Sequence, residues 1–528
     1  MNFANCLKNK NSILVKCLII GVIICLVFDN IPKFFQIGTI SNGFSNRFSW
    51  YFLFVLMIIW IYQRYKENFI IDKEDYLFIK YICCLMFIML LSNILGLINY
   101  PYYNELLSGP INQIEKLPVV LALLNSHGIS IDEKYLTMVW LGVRSVKGAI
   151  FDIFYTFGFS FILYQFFKGN WNYYFDLITK GVTASIILLC IYSIIELFYL
   201  AGFDFAKEFL SSINPLIHPI AVDHGWWPPL LWKGQLRSMF SEPSRMGNYL
   251  AFAMPFLWGK FLLSDKKTMR VVIIITLYTF MIFMTKARTA VAIYWAILFL
   301  LFLGVVYIHK KNLFKRFSVL CGITVLSLVF SVGFINMIEN TNKNNENQKV
   351  TIASYMEDNV ESLRSANKRS NGARYALIRA NTKTGVEHPI LGVGDVLNSA
   401  YTVHNFNKAE LDNAEVHMWV SNYNKMGVLR YELDAMNEYV SRFANNGIIG
   451  LIAFLLPFIY VLSSLLKYFK YVGESEQLKI MITGISLIGS AIAGCNGSLS
   501  LLYAYWVILA FSYAMVDEIR KKKMSGLT

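Results

Sequence analysis

Twelve apolar runs, most of them near the ~20 residues a helix needs to cross a bilayer core, constrain this chain more than any other feature. They occupy 12–28, 49–62, 76–98, 148–167, 177–200, 246–263, 270–284, 289–308, 317–337, 446–466, 478–493 and 500–516. They lack strand alternation, so in lipid they can satisfy their backbone polar groups only as helices. Composition agrees, since 56% of the 528 residues are hydrophobic and only 16% are charged. The expected fold is an all-α integral membrane protein with about twelve transmembrane helices. The first run follows Lys8, Lys10 and Lys16, but Asp29-Asn30-Ile31-Pro32 is no small-residue cleavage site. It reads as a retained span, not a signal peptide.

Basic residues set the expected orientation. Arg64 and Lys66, Lys266 and Lys267, Lys310 to Arg316, Lys467 and Lys470, and Arg520 to Lys523 fall on one side of the count. An even number of spans then puts both termini in the cytoplasm. This bias accounts for the net charge of +14, so the charge does not call for a nucleic-acid partner. The eight cysteines form no Cys-x-x-Cys and no spacing of a zinc site, and no metal ligands or cofactor site are expected. No phosphate-binding glycine loop occurs in the short cytoplasmic connections.

Chemistry is therefore expected on the outer side, where three segments are long enough to fold. Two connect spans, 99–147 and 203–245; the third is a hydrophilic loop, 338–445, between the ninth and tenth spans. The chain divides into 1–337, 338–445 and 446–528. In the first segment, Leu117 to Leu124 and Tyr135 to Val143 are short apolar pieces suited to the membrane surface. The second carries Trp226, Trp227 and Trp232, aromatic anchors or a sugar-stacking surface. The loop begins with a polar linker, 340–348, then turns helical over 372–384, with Ala373, Ala376, Leu377 and Ala380 on one side. It contains His388-Pro389-Ile390-Leu391-Gly392-Val393-Gly394 and ends in Asn437-Glu438-Tyr439 before Asn446-Gly447-Ile448-Ile449-Gly450.

Two arginine-bearing motifs border the spans. Arg237 to Gly247 reads Arg-Ser-Met-Phe-Ser-Glu-Pro-Ser-Arg-Met-Gly and runs into the sixth span. Pro243 and Ser244 suit a helix start, whose free N–H groups favour an anion, and Arg237 and Arg245 can grip a phosphate bidentately. Headgroup neutralisation is the competing role. Thr285-Lys286-Ala287-Arg288-Thr289 forms a minimal outer turn whose charges oppose the positive-inside bias, which points to function.

In the order and shared location of these pieces the chain resembles the O-antigen polymerase and O-antigen ligase superfamily of bacterial polysaccharide enzymes. The resemblance rests on Arg237 to Gly247, on Arg288-Thr289-Ala290, and on the late loop, where Arg374 precedes Gly385 and the segments 388–394 and 437–450. It covers about residues 230–460 by motif and the rest by topology. It implies a GT-C-like, metal-independent glycosyltransferase that needs no cofactor, in the bacterial cytoplasmic membrane. The implied donor is a glycan on undecaprenyl pyrophosphate, transferred to an acceptor hydroxyl at the outer face. By position, the pyrophosphate-binding role falls to Arg237, Arg288 and Arg374, with Arg245 beside them. Asn437 and Tyr439 would position the loop and the acceptor. The wider implied partners are membrane lipids, a chain-length regulator and a flippase.

The chain departs from the family at one point. Relatives place a histidine before the loop-end asparagine; here that position is Met436, and a thioether cannot take a proton. Glu242 and Glu438 are the candidate bases, with Asp434, His404 and His417 behind them. Glu242 has a salt bridge to Arg237 or Arg245 as its alternative role. The intramembrane carboxylates Asp152 and Glu196 are set outside the site. The missing histidine favours a polymerase of O-antigen, capsule or exopolysaccharide repeat units over a ligase to lipid A core or protein. A lipid-linked glycan flippase, which would carry charged or broken helices at midplane, fits less well.

Overall fold

The computed structural model describes residues 12–36, 47–68, 72–108, 117–218, 234–264, 269–341, 349–359, 371–433 and 435–525. Trp226, Trp227, Trp232 and Asp434 lie outside them. Every described element is helical, and a helix overlaps each of the twelve apolar runs. These are α1 (Ile13–Ile24), α2 (Phe48–Lys66), α3 (Lys73–Ile98), α4 (Glu133–Phe167), α5 (Trp171–Leu200), α6 (Pro243–Leu263), α7 (Met269–Met284), α8 (Arg288–Ile308), α9 (Lys311–Thr341), α10 (Glu438–Tyr468), α11 (Glu474–Ala493) and α12 (Tyr503–Met524). Seven of them, α3, α4, α5, α8, α9, α10 and α11, are long and apolar enough to cross a membrane, while α1 and α7 are shorter apolar helices.

The helices run past their apolar stretches because polar residues cap them. Asp132 accepts the Lys134 N–H, and from there α4 continues to Phe167 through a π-helical turn at Phe154–Gly158. Tyr135 to Val143 is thus the first half of a long helix, not a separate surface piece. Leu117–Ser126 does form its own short helix. Asn437 likewise caps α10 through the Tyr439 and Val440 N–H groups, so that helix begins eight residues before the predicted span at Glu438.

Ion pairs gather the basic clusters at one end of the bundle. Arg64 bonds Asp75 at 2.9 Å and Gln165 at 2.8 Å, and Lys168 reaches Asp72 and Asp75. Arg520 pairs with Glu74 and Asp517, Lys310 pairs with Glu474, and Lys523 lies over the Tyr471 ring. The loop helices lie at the other end. There Asn371–Glu387 buries Ala373, Ala376, Leu377 and Ala380, the side its alanine pattern predicts.

The loop is fastened to the bundle by backbone. In α10, Gly447 takes φ +63°, which opens the helix and frees main-chain groups. Segment 388–394 fills the gap: Val393 and Gly394 donate to the Ala444 and Asn445 carbonyls, and Ile448 donates to the Pro389 carbonyl at 2.8 Å. A Cβ on Gly447 would stand 2.3 Å from the Ile390 carbonyl carbon, so only glycine fits here. On its far side the segment meets α3, where Asn93 Oδ1 accepts the Asp395 N–H at 2.8 Å.

Candidate active site

Two helix beginnings form the floor of the site. Pro243 opens α6 after Glu242, a position where proline forfeits no hydrogen bond. Arg288 opens α8 after Ala287. Neither cap residue bonds the first-turn amides through its side chain, so each N-terminus presents free N–H groups and about half a positive charge. Gly247 and Ala290 hold the two together: a Cβ on Gly247 would lie 2.5 Å from the Ala290 Cα. The small residue ending each motif thus permits close helix contact, as small residues do between membrane helices.

Two cavities meet above this floor. The larger, about 830 Å³, is lined by both helix beginnings with Lys286, Arg288 and Arg374, and by Asn413 to Glu415 from the loop. The smaller, about 240 Å³, lies towards the bundle and is lined by Asp29, Arg47, Arg245, Tyr249, Met436 and Tyr503, among others. Glu242, Ser244, Arg374 and Asn496 line both and form their common wall. Arg374 donates to Asn496 Oδ1 at 2.7 Å, and Ser244 Oγ donates to Glu242 at 3.3 Å. Burial holds the Glu415 carboxyl above its ordinary range despite the pull of Arg374, which weakens the acidic side of the larger cavity.

Of the residues predicted from sequence, Glu242, Arg245, Arg288 and Arg374 come together here. Arg237 does not. It is 2% exposed and lines neither cavity; its backbone N–H and that of Ser238 bond the buried Glu196 carboxylate at 3.1 and 2.7 Å. Glu242, in turn, is bonded by Ser244, while Arg245 pairs with Asp29 at 3.4 Å.

Glu438 is 4% exposed and committed elsewhere. Its carboxylate accepts from Arg442 Nε at 2.7 Å, Ser498 Oγ at 3.0 Å and the Leu499 N–H at 2.8 Å. Arg442 also grips Asp152 at 3.0 Å. This network ties α10 to α4 and to the turn before α12. Asn437 donates to the Cys495 carbonyl at 3.3 Å, and the Tyr439 hydroxyl donates to the Ala491 carbonyl at 2.5 Å. Together they steady the turn that bears Asn496. His404 stacks on Tyr102 and bonds Glu105, and His417 borders a separate shallow recess. Neither lines the two cavities.

Backbone strain converges on the same place. Among the described non-glycine residues with positive φ, Lys286 and Met436 line the two cavities, and Ser238 adjoins the buried Arg237. Asn68 and His309 instead follow helix ends. Left-handed non-glycine residues concentrate where the surroundings impose a function. Sequence reasoning missed Asp29 and Arg47. The available signal was a charge at the outer end of the first span and another just before the second.

Among the described residues, an all-helical fold with seven helices long and apolar enough to cross a membrane defines an all-α membrane protein. Residues 271–455 match the family model described as O-Antigen ligase, which places this part of the chain in the O-antigen polymerase and ligase superfamily. The match spans α7 to the middle of α10 with the whole loop, and so includes Arg288 and Arg374; Glu242 and Arg245 precede it. No curated protein matches the chain.

Proposed function

We propose that the protein is a polymerase that joins undecaprenyl-pyrophosphate-linked repeat units at the outer face of the cytoplasmic membrane. One observation carries this reading: two uncapped helix N-termini and three cations converge on a cavity whose inner wall bears Glu242. The donor pyrophosphate occupies the larger cavity against Lys286, Arg288 and Arg374. The acceptor hydroxyl enters from the smaller one. Its oxygen attacks the anomeric carbon, the bond from that carbon to the pyrophosphate oxygen breaks, and the proton passes to Glu242. Preorganised cations and helix dipoles stabilise the charge developing on the leaving group, and a base on the shared wall reaches the acceptor without crossing the donor.

The ligase reading draws on the description of the matched family; Met436, lining the smaller cavity where relatives place a histidine, supports the polymerase. Deleting the gene and resolving the surface glycan on a gel separates them. A lost ladder with single-repeat species retained is the expected outcome. Full-length glycan left on undecaprenyl carrier would identify a ligase, and repeat units trapped inside a flippase. In a complemented strain, Arg288→Ala and Arg374→Ala should each abolish the ladder while the protein still inserts.

A further inference from the structure

We infer that the smaller cavity is a second oxyanion subsite, in which Arg47 reads a carboxylate or phosphate carried by the acceptor sugar. The inference rests on the acceptor entering through this cavity, as proposed above. Arg47 stands just before α2, is 8% exposed and lines the cavity. Its guanidinium makes no hydrogen bond with any described residue; it lies 5.6 Å from the Tyr503 ring and within the field of the Asp29 carboxylate.

Asp29, the adjacent carboxylate, is already committed. It accepts from the Ser241 N–H at 3.2 Å and from the Ser241 hydroxyl at 2.6 Å, and it pairs with Arg245. Asp29 attracts both Arg47 and Arg245, so one carboxylate serves two guanidinium groups, and a guanidinium withdrawn from water without its hydrogen bonds is costly. Leu26, Phe28, Leu501 and Leu502 add apolar lining to the same cavity. Such a group fits a site completed by an anionic ligand, and the planar fork of arginine suits a carboxylate or phosphate.

The volume sets the size of the ligand. At about 240 Å³ the cavity falls below the ~300–1,000 Å³ typical of drug-sized ligands, so it holds one sugar residue and not an oligosaccharide. The shared wall then brings that residue to Glu242 and Arg374. Arg47 selects among acceptors, while Arg288 and Lys286 hold the donor.

The test uses the full-length protein in nanodiscs of neutral lipid, with calorimetry or saturation-transfer NMR. The probes are glucuronate, glucose, inorganic phosphate and pyrophosphate. Glucuronate should bind the wild type more tightly than glucose and lose at least tenfold in affinity in Arg47→Gln, with partial recovery in Arg47→Lys. Pyrophosphate binding should survive Arg47→Gln, which also shows that the variant is folded, and should be lost in Arg288→Gln. If phosphate alone shows the Arg47 dependence, the subsite stands and the acceptor carries a phosphate. Binding of both glucuronate and phosphate that is unchanged in Arg47→Gln overturns the subsite. So does loss of pyrophosphate binding in Arg47→Gln, because the cavity would then belong to the donor. Pyrophosphate binding that persists in Arg288→Gln counts against the donor assignment alone.

Discussion

Arg237 and Arg288 come from similar arginine-led motifs and meet different fates. Arg288 lines a cavity, whereas Arg237 is buried in the field of Glu196. Removing one partner from a buried charged arrangement costs about 3–5 kcal/mol. Arg237→Ala should therefore lower the amount and melting temperature of the folded protein, while Arg288→Ala leaves both intact and removes activity; melting curves in detergent beside a polymer gel check this. Normal melting with no polymer in Arg237→Ala would instead return Arg237 to the site. His218 belongs to the same pocket of charge. Burial and the nearby Arg237 push its imidazole from 6.5 down to about 4, against the pull of Asp29, and its ring nitrogens bond no described residue. The unfolded chain binds this proton first as pH falls, so the contribution of His218 is fully present above about 6.5 and lost towards about 4. The stake is about 3 kcal/mol at ~1.4 kcal/mol per pKa unit. His218→Gln should flatten the decline in melting temperature between pH 6.5 and 4, and an unchanged slope would sink the assignment.

Between helices, contacts are made where glycine lets backbone approach backbone. The break in α10 at Gly447 and the segment 388–394 are one device, because the carbonyls and amides freed by the break are those the segment satisfies. Gly447→Ala puts a Cβ into the Ile390 carbonyl and forces an alanine to hold a positive φ. The loop should undock, exposing residues 371–433 to limited proteolysis, whereas Gly333→Ala, with open space around it, should behave as wild type. Equal protease resistance in both would refute the clasp. This contact also marks what could be read in advance. Apolar runs locate the helices α1 to α12, and the alanine spacing of 373–380 finds the buried side of a loop helix. Helix ends escape such reading because capping residues such as Asp132 and Asn437 lie outside the apolar pattern. The clasp escapes it too, since backbone hydrogen bonds leave no side-chain signature beyond the glycines. Motif order singled out Arg288, Arg374, Arg245 and Glu242. Arg47 and Asp29 stayed hidden because only folding sets Asp29 against Ser241 and Arg245, and Arg47 near Tyr503, at the cavity.

At the scale of the whole molecule, the loop works as a wall. A lid would rest on weak, solvent-exposed contacts that open locally at little cost. Here the loop is bonded on one side to the break in α10 and on the other to Asn93 of α3. It also contributes Arg374 to the wall between the cavities and Asn413 to Glu415 to the larger one. Under the proposed function, substrates would pass a fixed loop, and the two cavities would keep their spacing through the reaction. A cysteine-free variant with new cysteines at positions 99 and 390, joined by a short bismaleimide, would lock the loop to α3. These exposed residues border one recess between the end of α3 and the loop, which leaves the Asn93 contact in place. Chain extension in the cross-linked protein should stay within about twofold of the uncross-linked control, because the native contact already holds that geometry. A tenfold or greater fall, confined to the cross-linked sample, would show that the loop must lift in each cycle.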